Sequence, residues 1–238
     1  MSRSFQGIIT KGIINSELQF EKLAVISGNV ANMNTTGYKG VKFEQILNDQ
    51  GYLTGVVRRD YTQGDLLRTS NDFDVAIEGE GFIPITSPNG EVCYSREGQF
   101  KVDKDGYLIT LDGYLVGDGI QLPSYYENFR ITPEGDVVVY SNDKSYNEVL
   151  GNIPVVTFPN QAELRAGDNN KFYITAESGE PILKKEGKKL VQGSQEGSNV
   201  NMLDSAYDIM RLNASITASI RVMTTVNQMY NLIVEMSQ

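Results

Sequence analysis

The chain has 238 residues, 40% of them hydrophobic, enough to bury one sizeable core with extensions or two smaller ones. A formal net charge of -9 and a pI of about 4.7 exclude the basic face of a nucleic-acid binder. There is no histidine and only one cysteine, Cys93, which removes the commonest general base, the commonest zinc ligand and any intrachain disulfide. No apolar run approaches the ~20 residues that span a bilayer. Residues 1–10 carry Arg3 and then Ser, Gln and Gly, so a cleaved Sec-type leader is not expected.

The first segment reads as helix. Ile9, Ile13, Ser16, Phe20, Leu23, Ser27 and Val30 recur at alternating steps of four and three, a heptad seam with two small polar members. It runs out at Asn32-Met-Asn-Thr-Thr-Gly37, where Asn and Gly supply the turn conformations that end helices. Residues 38–65 read as a connecting arm of mixed character. From about residue 66 the texture changes, and the excess acid lies between residues 66 and 192, which marks a solvated acidic body between nearly neutral ends. Turn signals recur there at Ser87-Pro-Asn-Gly90, Asp103-Lys-Asp-Gly106, Leu111-Asp-Gly113, Thr132-Pro-Glu-Gly135 and Ala166-Gly-Asp168. Between them lie short β-prone runs at Val75–Ile77, Phe82–Ile85, Tyr107–Thr110, Asp136–Tyr140, Ile153–Phe158 and Lys171–Thr175. The last segment is the most regular. Met202, Ala206, Ile209, Asn213, Ile216, Ile220, Met223, Asn227, Tyr230 and Val234 keep the four-three spacing, and a helix over 202–234 is about 50 Å long. The two seams have only each other, or other molecules, to bury against. The expected fold is a mainly β central domain inserted between N- and C-terminal α-helices.

Chemistry-bearing readings are weak. Asp103-Lys-Asp-Gly106 has its glycine fourth, not sixth as a calcium loop needs, and reads as a hairpin turn. Glu78-Gly-Glu-Gly81 lacks the third glycine and following helix of a dinucleotide site. The basic cluster Lys184-Lys-Glu-Gly-Lys-Lys189 reads as a solvated loop in an acidic body. No carboxylate pair stands out for acid–base work, Cys93 reads as a small buried hydrophobe, and no cofactor, metal ligand or catalytic residue is expected. Asn213 and Asn227 sit in the seam, where a buried amide fixes register; a polar channel or solvent would accommodate them equally.

Four motifs then resemble one family in its order. Ser27-Gly-Asn-Val-Ala-Asn-Met-Asn-Thr-Thr-Gly-Tyr-Lys39 resembles the N-terminal signature of the flagellar basal-body rod and hook family. Gln63-Gly-Asp-Leu66 and Asp74-Val-Ala-Ile-Glu-Gly-Glu-Gly-Phe82 look like the start of that family's first β domain. Tyr94-Ser-Arg-Glu-Gly-Gln-Phe-Lys-Val-Asp-Lys-Asp-Gly-Tyr-Leu108 looks like its next hairpin, and Glu196-Gly-Ser-Asn-Val-Asn201 like its C-terminal signature. Ser27-Gly28 stands where the family often has Ala-Asn, and the form of the last motif is nearer the proximal rod members than the distal ones.

The resemblance implies a structural subunit, not an enzyme. Residues 1–37 and 197–238 would form a terminal coiled-coil domain, 38–65 an arm and 66–196 an all-β outer domain. The implied function is self-assembly into a helical tube that transmits torque from motor to hook. Its assembly interface would comprise Ile9, Ile13, Phe20, Leu23, Val30, Asn32, Ile209, Asn213, Ile216, Ile220, Met223, Asn227, Tyr230 and Val234. The implied partners are copies of itself, other rod and hook subunits and the flagellar type III export apparatus, without nucleic acid or membrane insertion. The implied place is the basal body in the cell envelope, the periplasm in a Gram-negative cell, reached without a cleaved signal. A second reading, an exported β-domain binding module such as an adhesin or carbohydrate binder, needs no heptads at both ends.

Overall fold

In the computed structural model, residues 2–49, 52–124, 126, 128–141, 147–184 and 187–236 are described. They fall into two compact units. One comprises residues 1–33, 41–60 and 200–238, and the other residues 34–40 and 61–199.

The first unit holds both long helices, α1 (Ser2–Ala31) and α2 (Met202–Met236), and a hairpin of β1 (Val41–Leu47) and β2 (Leu53–Arg59). The helices extend where the heptad spacing places them, with no proline to break them. Asn201 caps α2, its Oδ1 accepting from the amides of Leu203 at 2.8 Å and Asp204 at 3.4 Å. At the end of α1, Asn32 Nδ2 donates to the Gly28 carbonyl at 2.9 Å. Asn29 ties the hairpin to the helix. Its Nδ2 donates to Val41 O at 2.7 Å while its Oδ1 accepts from Val41 N at 2.8 Å, so the amide replaces a missing strand partner. Part of the arm read as mixed in the sequence is therefore a regular hairpin, paired from Val41 with Arg59 to Leu47 with Leu53.

Among the described residues of the second unit the regular elements are β-strands, apart from a single 3-10 turn at Gln161–Glu163. Its largest sheet has seven strands, in the order Arg165–Ala166, Lys171–Tyr173, Val92–Ser95, Ile83–Thr86, Leu115–Val116, Leu108–Thr110, Phe100–Val102. The paired neighbours are all antiparallel, both where a tight hairpin joins them and where they are distant in the chain. A three-stranded sheet of Asn128–Ile131, Asp136–Tyr140 and Asn147–Asn152 adds to it. Inward alternation buries Ile83, Ile85, Phe100, Leu108, Val116 and Val137 in one core. A second cluster is aromatic, with Phe82, Tyr94, Phe158 and Phe172 meeting edge to face. Cys93 is buried in the first core, and burial pushes its thiol up to about 11.

The turn readings hold in detail. Asp103 Oδ1 accepts from the amides of Asp105 and Tyr107 at 3.0 and 2.7 Å, closing a hairpin with the carboxylate turned onto its own backbone. In the basic cluster Lys185 and Glu186 lie outside the described residues. Lys188 bonds Ile153 O and Asn152 Oδ1, each at 2.7 Å, and Lys189 pairs with Glu78 at 2.6 Å.

Candidate assembly interface

Within the first unit, α1 and α2 run antiparallel. Asn15 Nδ2 donates to Ser219 Oγ at 2.9 Å, Gln19 Nε2 to Ser215 Oγ at 2.8 Å, and Lys22 approaches Asp208 at 4.0 Å. A Cβ at Gly12 would lie 3.0 Å from Met223 Sδ, so the small residue admits that side chain. Side-chain hydrogen bonds thus cross the contact between the helices, with Leu212 and Ser205 buried on α2. A reading tuned to apolar periodicity does not see Asn15, Gln19, Ser215 and Ser219. Their only sequence signal is that small and amide side chains repeat at four-three spacing beside the apolar seam.

Counting about 100° per residue, three stripes divide α1. Gly12, Asn15, Gln19 and Lys22 face α2. Lys11, Glu21 and Asn29 meet the hairpin, through the Tyr52 ring, Gly55 and Val41 respectively, and buried Leu18 shares their side of the helix. The third stripe is the apolar seam. Ile9, Ile13, Phe20 and Leu23 are all exposed in the single chain, Phe20 at 64%.

On α2 the seam lies about 100° around from the face that meets α1. Ile220, Asn213 and Asn227 are exposed, as are Tyr230 and Val234, while Ile209, Ile216 and Met223 are half-buried on the shoulder of the helix contact. Val30 and Asn32 are half-buried at the end of α1. Because the helices are antiparallel, equal rotations in the same sense bring both seams to one side of the pair. Inside one chain the seams do not face each other. Thr217 and Thr224 border the α2 seam, and each donates its hydroxyl to the carbonyl four residues back, at 2.8 and 2.9 Å. Those hydroxyls need no water if the face is covered.

The second unit contains a buried ionic network that the sequence reading did not assemble. Glu196, with no side-chain exposure, accepts from Lys39 Nζ at 2.6 Å, from Arg96 Nε at 2.7 Å and from the Gly64 amide at 3.0 Å. Lys39 also donates to Thr62 O at 2.6 Å. Arg96 spends its remaining nitrogens on the carbonyls of Gly81 and Gly79, at 2.8 and 2.7 Å. Those two glycines have φ of +134° and +108°, so the Glu78-Gly-Glu-Gly81 motif turns its carbonyls to cap a guanidinium. Gly37, at φ +66°, donates its amide to Glu196 O at 2.7 Å. Every member except Thr62 lies inside one of the four recognised motifs. The convergence is what the linear pattern could not show. Among the described residues no group of three or more His, Cys, Asp or Glu is placed to hold a metal ion.

Comparison with known proteins gives matches along most of the chain. The family profile described as the flagellar hook protein FlgE/F/G D1 domain matches residues 76–139, and that of the flagella basal body rod protein matches residues 18–39. The flagellar basal-body rod protein FlgG of Agrobacterium fabrum is 30% identical over 246 aligned positions, covering 91% of this chain and 94% of that protein. FlgG of Borreliella burgdorferi is 34% identical over 209 positions, covering 75% and 79%. The basal-body rod protein FlgF of Mesorhizobium japonicum is 30% identical over 206, covering 79% and 80%.

Proposed function

Because the chain belongs to the flagellar basal-body rod and hook family and is a structural subunit of the rod, we propose that it assembles through its terminal helices into a helical tube. Its partners in that tube are copies of itself and related rod and hook subunits, and the tube carries torque from motor to hook. The coiled coil closed on the apolar seams belongs to this assembled state.

One observation carries the reading. The seams of α1 and α2 lie on the same side of an antiparallel pair, and the hairpin covers a different side of α1. A stripe of Ile, Phe and Leu left in water on a helix pair is costly unless another surface buries it. The interface residues proposed are Ile9, Ile13, Phe20 and Leu23 with Ile209, Ile216, Ile220 and Met223, flanked by Val30, Asn32, Asn213, Asn227, Tyr230 and Val234. The same reading includes export by the flagellar type III apparatus and a seat in the cell envelope, both supported by the family resemblance. No helix of the described residues is long and apolar enough to cross a membrane. The Glu196–Asn201 motif favours a proximal rod member and the long FlgG matches a distal one; both are rod subunits.

The test is cross-linking. In a Cys93→Ser background, Phe20→Cys and Ile220→Cys are introduced singly and basal bodies are oxidised. Covalent dimers, the most that one cysteine per chain can give, are expected from both, and none from a cysteine at Lys11, which faces the hairpin. Monomer alone from Phe20→Cys and Ile220→Cys in assembled basal bodies would refute the interface.

A further inference from the structure

The Lys39–Arg96–Glu196 network joins positions 157 and 100 residues apart along the chain. Lys39 and Glu196 have no exposed side-chain surface, and Arg96 has 2%. Two cations share one carboxylate, so removing the anion leaves both buried without a counter-charge. A half-made network is therefore far less stable than either the closed or the fully solvated state.

The backbone around it is equally interlocked. Gly37 N–H donates to Glu196 O at 2.7 Å and Gly197 N–H to Asp65 O at 2.8 Å. Asn199 accepts from Gly40 N at 2.7 Å and donates to Thr62 O at 3.0 Å. A Cβ on Gly64 would come within 2.2 Å of Gly197 O, so the two segments touch backbone to backbone. Residues 194–196 pair with Leu66–Arg68, and Leu190–Gln192 with Val75–Ile77, so this late segment supplies a partner strand to two early ones.

We infer that Glu196 is the closing residue of the β unit, and that segments 34–40, 61–65, 79–81, 94–98 and 194–199 open and close as one cooperative block. The device orders folding. A chain that emerges N-terminus first cannot close this unit until residues 194–199 are present, immediately before α2 begins at Met202. The inference does not depend on the assembly reading, since every residue in it lies within the β unit.

Hydrogen exchange on the full-length chain tests it. Across sub-denaturing urea, the amides of Gly37, Gly40, Gly64 and Gly197 should exchange through one common opening with the same urea dependence. In Glu196→Gln all four should lose protection by the same factor, on the order of a hundredfold or more. The inference is overturned if the wild-type amides open with different urea dependences, which needs no variant to fold. It is equally overturned if Glu196→Gln loosens only Gly197 while Gly37, Gly40 and Gly64 keep their protection.

Discussion

Replacing Ile220 by Asp separates assembly from folding. In the single chain Ile220 is 54% exposed, on the seam side of α2. Fully burying an isoleucine is worth about 1.5–3 kcal/mol, so roughly half of that, about 1 kcal/mol, is still to be gained when a neighbour covers it. An aspartate there must be covered as well. The seam supplies no cation, so the carboxyl has to take up a proton, which at pH 7 costs about 4 kcal/mol for a group of ordinary pKa near 3.9. The combined loss of about 5 kcal/mol per subunit lowers each association constant more than a thousandfold, at about 1.4 kcal/mol per tenfold. The β unit should keep its stability, because Ile220 lies in the other compact unit. Ile220→Asp should therefore give a chain whose β unit keeps its wild-type thermal midpoint, no complementation of motility, and basal bodies that stop short in electron micrographs. A midpoint lowered by several degrees would place Ile220 in a monomer core, and normal motility would remove it from any interface.

Three further outcomes follow from the β unit. Lys39→Met leaves a buried carboxylate with one cation fewer and should cost about 3–5 kcal/mol. In a unit of roughly 150 residues that is a fall of about 6–20 °C in the calorimetric midpoint, and a fall under 2 °C would contradict the burial described. Gly37→Ala forces a side chain into a left-handed backbone, at about 1–2 kcal/mol, and sets its Cβ 2.9 Å from Arg96 C and Glu97 N. Gly28→Ala, in α1 with nothing within 4 Å of the new Cβ, should instead be neutral or stabilising in the same urea titration. Equal destabilisation by the two would show that the turn is not specific. The Cys93 thiol, pushed up to about 11 by burial, carries almost no thiolate at pH 8. Alkylation should wait on unfolding, and rapid labelling of the folded chain would place Cys93 at the surface.

Several features were already settled by local pattern. Four-three apolar spacing without proline specifies α1 and α2, because a helix is stabilised by contacts three and four residues apart. Asn-Gly and Asp-Gly signals specify the hairpins around Ser87–Gly90 and Asp103–Gly106, because only such residues take the turn conformation without strain. Even the family was legible, since its four motifs occur in order.

Three things awaited the tertiary structure. The side on which each helix meets its partner carries polar groups, Asn15, Gln19, Ser215 and Ser219, which no hydrophobic pattern marks. That choice leaves Phe20 and Ile220 facing outward. The regular hairpin at Val41–Arg59 was hidden because most of its residues are exposed, so burial imposes little period-two alternation on its sequence. The buried trio of Lys39, Arg96 and Glu196 was spelled out in three motifs yet unreadable as a unit. Nothing in local spacing says that charges 100 and 157 residues apart will share one dry site; only the closing of the sheets brings them within hydrogen-bonding distance.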